Sequence, residues 1–294
     1  MVWSMRYSIH HGYEPPALRP QFLATVGTDD PAAHIRYAAS IGMSGILYPW
    51  AMEKPATERD RVKEALLETG LTASAIVAIP AEFVVSPILA DRSPENRQRL
   101  AQFVKRSSEV AAALQSSTLA VLIAADPAIL SEDEQYENVA ANLAEMAAIS
   151  GDHGIVIGIE PIVALPGLLL RSTQDTLKLI RMAASPSVGM IFDTGHIAQM
   201  GEDLVQSLNE AIDQVCLLQL ADQPGRVEPG AGELDLVEVA ALAVRRGYNA
   251  LVDLEHGWTS PSAEGEAAGL DRLREFDAEL QRNLAAFHND GPSG

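Results

Sequence analysis

The run Ile155-Val156-Ile157-Gly158-Ile159-Glu160-Pro161 is followed, after a helical pattern at 173–184, by Val188-Gly189-Met190-Ile191-Phe192-Asp193-Thr194-Gly195-His196. Each run is apolar on both faces, as suits a strand covered by helices outside and packed against other strands inside. Each then ends abruptly in a carboxylate. Strand, helix and strand in this order make a βαβ unit, whose strands are parallel. The alternation continues outward in both directions. Strand candidates fall at 7–10, 45–48, 73–79, 119–124, 155–160, 188–193, 216–220 and 251–255. Helical patterns lie at about 31–41, 57–69, 94–114, 135–150, 173–184, 203–213, 235–247 and 268–288. Asp30-Pro31, Ser93-Pro94 and Ser172 with Asp175 supply helix N-caps followed by proline or acid in the first turn. Gly42, Gly70 and Gly247 fall where helices end, just ahead of a strand.

Eight alternations favour a closed α/β barrel, the (β/α)8 or TIM barrel, over an open doubly wound sheet. With 294 residues, 47% of them hydrophobic, one large core and a single domain are expected, with a frayed tail from about residue 288. The net charge of −19 would repel a phosphate backbone or an anionic bilayer, so neither nucleic acid nor a membrane surface is an expected partner. The one cysteine, Cys216, rules out an intramolecular disulfide and suits a reducing compartment. The start, Met-Val-Trp-Ser-Met-Arg-Tyr, does not read as a signal peptide, and no apolar run reaches the roughly 20 residues of a membrane span. A cytoplasmic protein is expected. Loops on the barrel face leave a homo-oligomer open.

In a parallel barrel the reaction face lies at the C-terminal ends of the strands. Four consecutive strands here end in Glu160, Asp193, Gln219 and Glu255. Burying three carboxylates together is costly unless a cation neutralises them. Carboxylates with a carboxamide oxygen suit hard ions, so one Mg²⁺ or Mn²⁺ held by Glu160, Asp193, Gln219 and Glu255 is the expected cofactor. The competing account, a rim of salt bridges, is disfavoured because arginine is scarce beside these strand ends. Beyond strand seven, Asp222-Gln223-Pro224-Gly225-Arg226-Val227-Glu228-Pro229-Gly230-Ala231-Gly232-Glu233-Leu234-Asp235 reads as a rigid loop. Its Arg226 is placed to hold an anionic or hydroxylated substrate group, and His196, just past Asp193, to reach the substrate. His10, His11, Trp50, Lys54 and Trp258 lie near other strand ends, where packing is as good a reading as pocket. Asp235 reads as a helix cap.

At these residues the chain resembles the xylose isomerase-like TIM-barrel superfamily of sugar isomerases, epimerases and related lyases. The segment from Gln219 to Glu233 is most similar to the hydroxypyruvate isomerase group, which holds one divalent ion with Glu, Asp, Gln and Glu. That pattern maps onto Glu160, Asp193, Gln219 and Glu255. Two features depart from it. Asp193-Thr194-Gly195-His196 is closer to the inosose dehydratase and endonuclease branches, and ketose 3-epimerases generally carry histidine where Gln219 stands. The endonuclease branch needs several metals and many histidines, against seven histidines and a charge of −19 here.

The resemblance implies proton removal beside a carbonyl, giving an enediolate, in a small hydroxy-oxo acid or ketose. Glu160 and Glu255 would form the acid/base pair, with His196 and Arg226 holding the substrate. A lyase or dehydratase using the same site, a ketose 3-epimerase, and a non-catalytic barrel that binds a sugar acid are the alternatives.

Overall fold

The computed structural model describes residues 3–13, 19–126, 128–163 and 167–289. The expected tail beyond 289 and the extreme N-terminus lie outside the described residues. Nine short parallel strands form one sheet: β1 (Arg6–His10), β2 (Gly45–Leu47), β3 (Thr72–Ala73), β4 (Ala75–Val77), β5 (Thr118–Val121), β6 (Val156–Ile159), β7 (Val188–Asp193), β8 (Val215–Leu220) and β9 (Leu251–Leu254). Their order is β3-β2-β1-β9-β8-β7-β6-β5-β4. The two ends, β3 and β4, are consecutive pieces of one run, so the sheet returns on itself and the (β/α)8 barrel closes through that run. The expected third strand is therefore interrupted at Ser74. The Ser74 N–H still bonds Ile46 O at 2.9 Å, while its hydroxyl turns inward to donate to Asp253 Oδ2 at 2.9 Å.

The main helices match the expected pattern: Pro31–Ser40, Ala56–Thr69, Pro94–Ala113, Glu132–Gly151, Thr173–Ala183, Leu204–Ala211, Leu236–Arg245 and Ala263–Asn289. Ser93, Ser172 and Asp235 each accept the backbone N–H three residues on, as their positions predict. Asp30 does not. It stands at the N-cap with Pro31 after it, but its carboxylate faces Arg61 at 3.4 Å instead of the helix N-terminus. Gly42, Gly70 and Gly247 all have positive φ, at 82°, 73° and 83°.

Two apolar layers follow from the pleat. The large core lies between strands and helices. A second cluster, Leu47, Ala75, Ala120, Ile191, Leu217 and Leu251, plugs the barrel interior. Ile191 and Leu217 sit two residues before Asp193 and Gln219, on the same inward face. Gly158 makes room for this plug, since a Cβ there would lie 2.7 Å from Ile191 Cγ1. The apolar plug thus forms the floor beneath the polar strand ends.

Candidate active site

Glu160 directly follows β6, Asp193 closes β7, Gln219 is the penultimate residue of β8, and Glu255 directly follows β9. Register brings them to one level: Asp193 pairs with Gln219, and Gln219 with Asp253, two residues before Glu255. Asp193, Gln219 and Glu255 are buried. Asp193 also caps a short helix, Thr194–Gln199, by accepting the His196 N–H at 2.8 Å. That unanticipated turn aims the His196 ring back, placing Nε2 3.7 Å from Glu160 Oε1. Glu160, Asp193 and His196 each offer a donor atom within 4.8 Å of the others, a group that could hold a metal ion.

The scarcity of arginine seen along the sequence does not hold in three dimensions. Arg226 is folded back from its loop and binds Asp193 through Nη1 at 3.2 Å and Nη2 at 2.8 Å, and Glu255 Oε1 through Nη2 at 2.9 Å. The Tyr13 ring lies against it, 5.2 Å from Cζ to centroid. Gln219 Nε2 donates to the other Glu255 oxygen. Salt bridging thus accounts for part of the cluster, but one guanidinium faces three carboxylates.

The consequence appears in their acidities. Burial, then the charge of Asp193, pushes the Glu160 carboxyl up to about 8. Burial and the charge of Glu160 raise Glu255 well above the usual carboxylate range. For Asp193 burial acts upward too, but the charges of Arg226 and His196 and their hydrogen bonds outweigh it, so this carboxyl is held low. Beneath them lies Asp253, fully buried, accepting from Ser8 and Ser74 and pushed by burial up to about 7.

The donor set fits a divalent ion. Gln219 Oε1 is buried without a hydrogen-bond partner among the described residues, an unsatisfied acceptor that costs free energy unless a ligand meets it. Three carboxylates with this carboxamide oxygen are hard donors. Of the four expected ligands, Glu160 and Asp193 join His196 in the group that could hold the ion, with Gln219 Oε1 free to meet a ligand, whereas Glu255, engaged by Arg226 and Gln219, falls outside that group.

Arg226 is delivered by a built loop. Asp222 and Val227 exchange backbone hydrogen bonds at 2.8 and 3.0 Å, and Arg226 at the tip has φ 51°. The buried Asp222 carboxylate accepts the N–H groups of Gln223, Gly230, Gly232 and Leu234 at 2.9–3.0 Å. Gly232 is required there, because a Cβ would stand 2.4 Å from Asp222 Oδ1. Glu228 ties the loop to Thr259 and Arg272. Sequence reasoning passed over Asp222, although an acid followed by spaced glycines is the signal of a carboxylate caging backbone N–H groups. Asp222→Ala leaves these donors unpaired and is expected to cost about 3–5 kcal/mol. Urea unfolding with an unchanged m-value would measure it, and a loss under about 1 kcal/mol would show that the loop does not depend on this anchor.

Of the other strand-end candidates, only Trp50 lines the cavity above the carboxylates. His10 and His11 bond the carbonyls of His256 and Asp29, Lys54 faces Glu58 at 3.8 Å, and Trp258 packs on Phe22. Burial drives His10 down to about 3, so it is neutral at pH 7.

The sequence model of the family described as xylose isomerase-like TIM barrel matches residues 35–276. Hydroxypyruvate isomerase of Escherichia coli (strain K12) is 27% identical over 165 residues, which cover 55% of this chain and 64% of that enzyme. The chain thus spans just under two thirds of that relative's length. A 2-oxo-tetronate isomerase of Pectobacterium atrosepticum is 24% identical over 261 residues, covering 83% of this chain and 98% of the other. Among solved structures, a protein titled AP endonuclease, family 2, from Brucella melitensis superposes with a TM-score of 0.77 at 20% identity, covering 91% of this chain and 98% of its own. That last likeness bears on fold alone. Among the described residues, no helix is long and apolar enough to cross a membrane.

Proposed function

Because the chain belongs to the xylose isomerase-like TIM-barrel family, we propose that it is a divalent-metal-dependent isomerase acting on an α-hydroxy carbonyl compound through an enediolate. One observation carries this reading: Glu160, Gln219 and Glu255 line one cavity from the ends of β6, β8 and β9, Asp193 lies buried at the end of β7 between them, and Gln219 Oε1 has no partner among the described residues. When bound, Mg²⁺ or Mn²⁺ would polarise the substrate carbonyl and offset the charge developing on its oxygen. Glu160 and Glu255 do the proton work. One accepts the proton from the carbon beside the carbonyl, and the other returns a proton to the neighbouring carbon. Two carboxyls made weaker acids by burial suit the task, since each can carry a proton near neutral pH. His196 steadies a substrate hydroxyl from beside Glu160. Arg226, now on Asp193 and Glu255, offers a substrate carboxylate or terminal oxygen a bidentate partner.

The relatives named for hydroxypyruvate and 2-oxo-tetronate point to such substrates, and the charge of −19 points away from nucleic acid. Incubation with Mg²⁺ in D₂O against hydroxypyruvate, 2-oxo-tetronates and hydroxymethyl ketones, followed by NMR, tests the proposal. Deuterium at the carbon beside the carbonyl, abolished by EDTA and restored by Mg²⁺, is the expected result. Loss of water from the substrate would reassign the chain to the lyases, and exchange unaffected by EDTA would remove the metal.

A further inference from the structure

The cavity above the carboxylates has a volume of about 440 Å³ and two unlike halves. Its polar lining comes from the β6–β9 side, Glu160, His196, Gln199, Gln219, Arg226 and Glu255, with Tyr13 beside Arg226. On the opposite side, all ten described lining residues between positions 47 and 122 are apolar, among them Leu47, Trp50, Val77, Val84, Ala120 and Leu122. The one polar side-chain hydrogen among these ten residues, the Trp50 indole N–H, already donates to Tyr13 O at 3.1 Å. Pockets of about 300–1,000 Å³ enclose drug-sized ligands, so a three-carbon oxo acid held at the carboxylates leaves most of this one empty. A longer sugar chain would fill it, but its remote hydroxyls would face apolar side chains and lose their hydrogen bonds to water.

We propose that the substrate of this site is an α-hydroxy carbonyl compound whose remote end is an aryl or branched alkyl group, seated against the wall of Leu47, Trp50, Val77, Val84, Ala120 and Leu122. The inference rests on the isomerase reading for its head group and on the wall alone for its tail. It sets the chain apart from enzymes whose substrates are hydroxylated along their whole length.

Two hydroxymethyl ketones with the same reacting end separate the alternatives: 1-hydroxy-4-phenylbutan-2-one and erythrulose, which carries hydroxyls on C3 and C4 where the first carries hydrogen and phenyl. With the Mg²⁺-loaded protein in D₂O, a C1–H bond breaks, the proton passes to a carboxylate, and a deuteron from that solvent-equilibrated carboxyl forms C1–D. NMR should show exchange of the phenyl ketone with kcat/KM about 10- to 100-fold above that of erythrulose, the gain expected from burying a group of that size. Val77→Thr, which adds a hydroxyl to the wall at nearly constant volume, should shrink that ratio several-fold. Saturation-transfer NMR on the metal-free protein should show the ring protons in contact with the protein and no transfer to erythrulose C4. Equal or better exchange of erythrulose overturns the tail while leaving the isomerase intact. Exchange of neither ketone removes the isomerase, and ring saturation then still decides the tail: its presence supports the apolar seat and its absence overturns it.

Discussion

Glu160→Gln or Glu255→Gln is expected to lower kcat by about 10²–10⁴-fold, the range over which a positioned acid or base contributes to proton transfer. Glutamine keeps the shape and one oxygen donor but carries no exchangeable carboxyl proton. Both changes leave Asp193, His196 and the Arg226 contacts to Asp193 in place, so binding of Mn²⁺ should weaken far less than turnover. The two substitutions differ in detail. Glu160 faces His196 at 3.7 Å, whereas Glu255 is engaged by Arg226 and Gln219. Loss of Glu255's charge therefore also frees one arm of Arg226, and its KM should rise along with the fall in kcat. Full activity in both variants would remove the acid/base assignment. Loss of Mn²⁺ binding in step with turnover would make these residues ligands only.

The strand ends were legible because a buried apolar run that stops at a carboxylate says the same thing whatever surrounds it. Glu160 after Gly158-Ile159 and Asp193 after Ile191-Phe192 needed no knowledge of partners. The pairing of Arg226 was illegible for the opposite reason. It depends on a loop doubled back at Asp222 and Val227, with Arg226 in the left-handed region, and no periodicity records that. Asp253 lay in plain view inside β9, but its partners are Ser8 of β1 and Ser74 at the break between β3 and β4, both remote in sequence. The last helix starts at Ala263, ahead of the expected 268. Gly265 and Gly269 lower helix propensity there, yet packing overrides it: Gly269 lies under the Trp258 ring, where a Cβ would stand 2.1 Å from Cε3. The apolar half of the cavity was hidden most completely. Its residues are ordinary strand and loop apolars, and only closure of the barrel turns them toward the carboxylates.

The metal-free protein is expected to lose stability as pH rises from about 6.5, the ordinary histidine value, to about 8. The sign follows from proton counts. Glu160, at about 8 in the folded chain, holds its proton throughout a range in which the unfolded chain has released it. The folded state therefore binds more protons, and unfolding free energy falls with pH. Glu255 and Asp253 are raised as well and act in the same direction. Asp193, held low by Arg226, opposes them only below about 3.9, and the buried histidines His10, His11, His34 and His256, all lowered by burial, oppose them below about 6.5, where the unfolded chain takes up protons that they refuse. A divalent ion reverses the trend, because it requires the carboxylates ionised and displaces their protons. For each proton displaced its affinity should rise about tenfold per pH unit, hence about 100-fold between pH 6 and pH 8 for one proton. Urea unfolding at pH 7 and pH 8, above the range in which the histidines act, with and without Mg²⁺, reads the first effect, and the ion should stabilise more at pH 8. Calorimetry of Mn²⁺ binding in two buffers of different ionisation enthalpy counts the protons released. Stability of the metal-free chain that climbs toward pH 8, or binding without proton release, would mean that Arg226 alone suffices to keep all three carboxylates ionised.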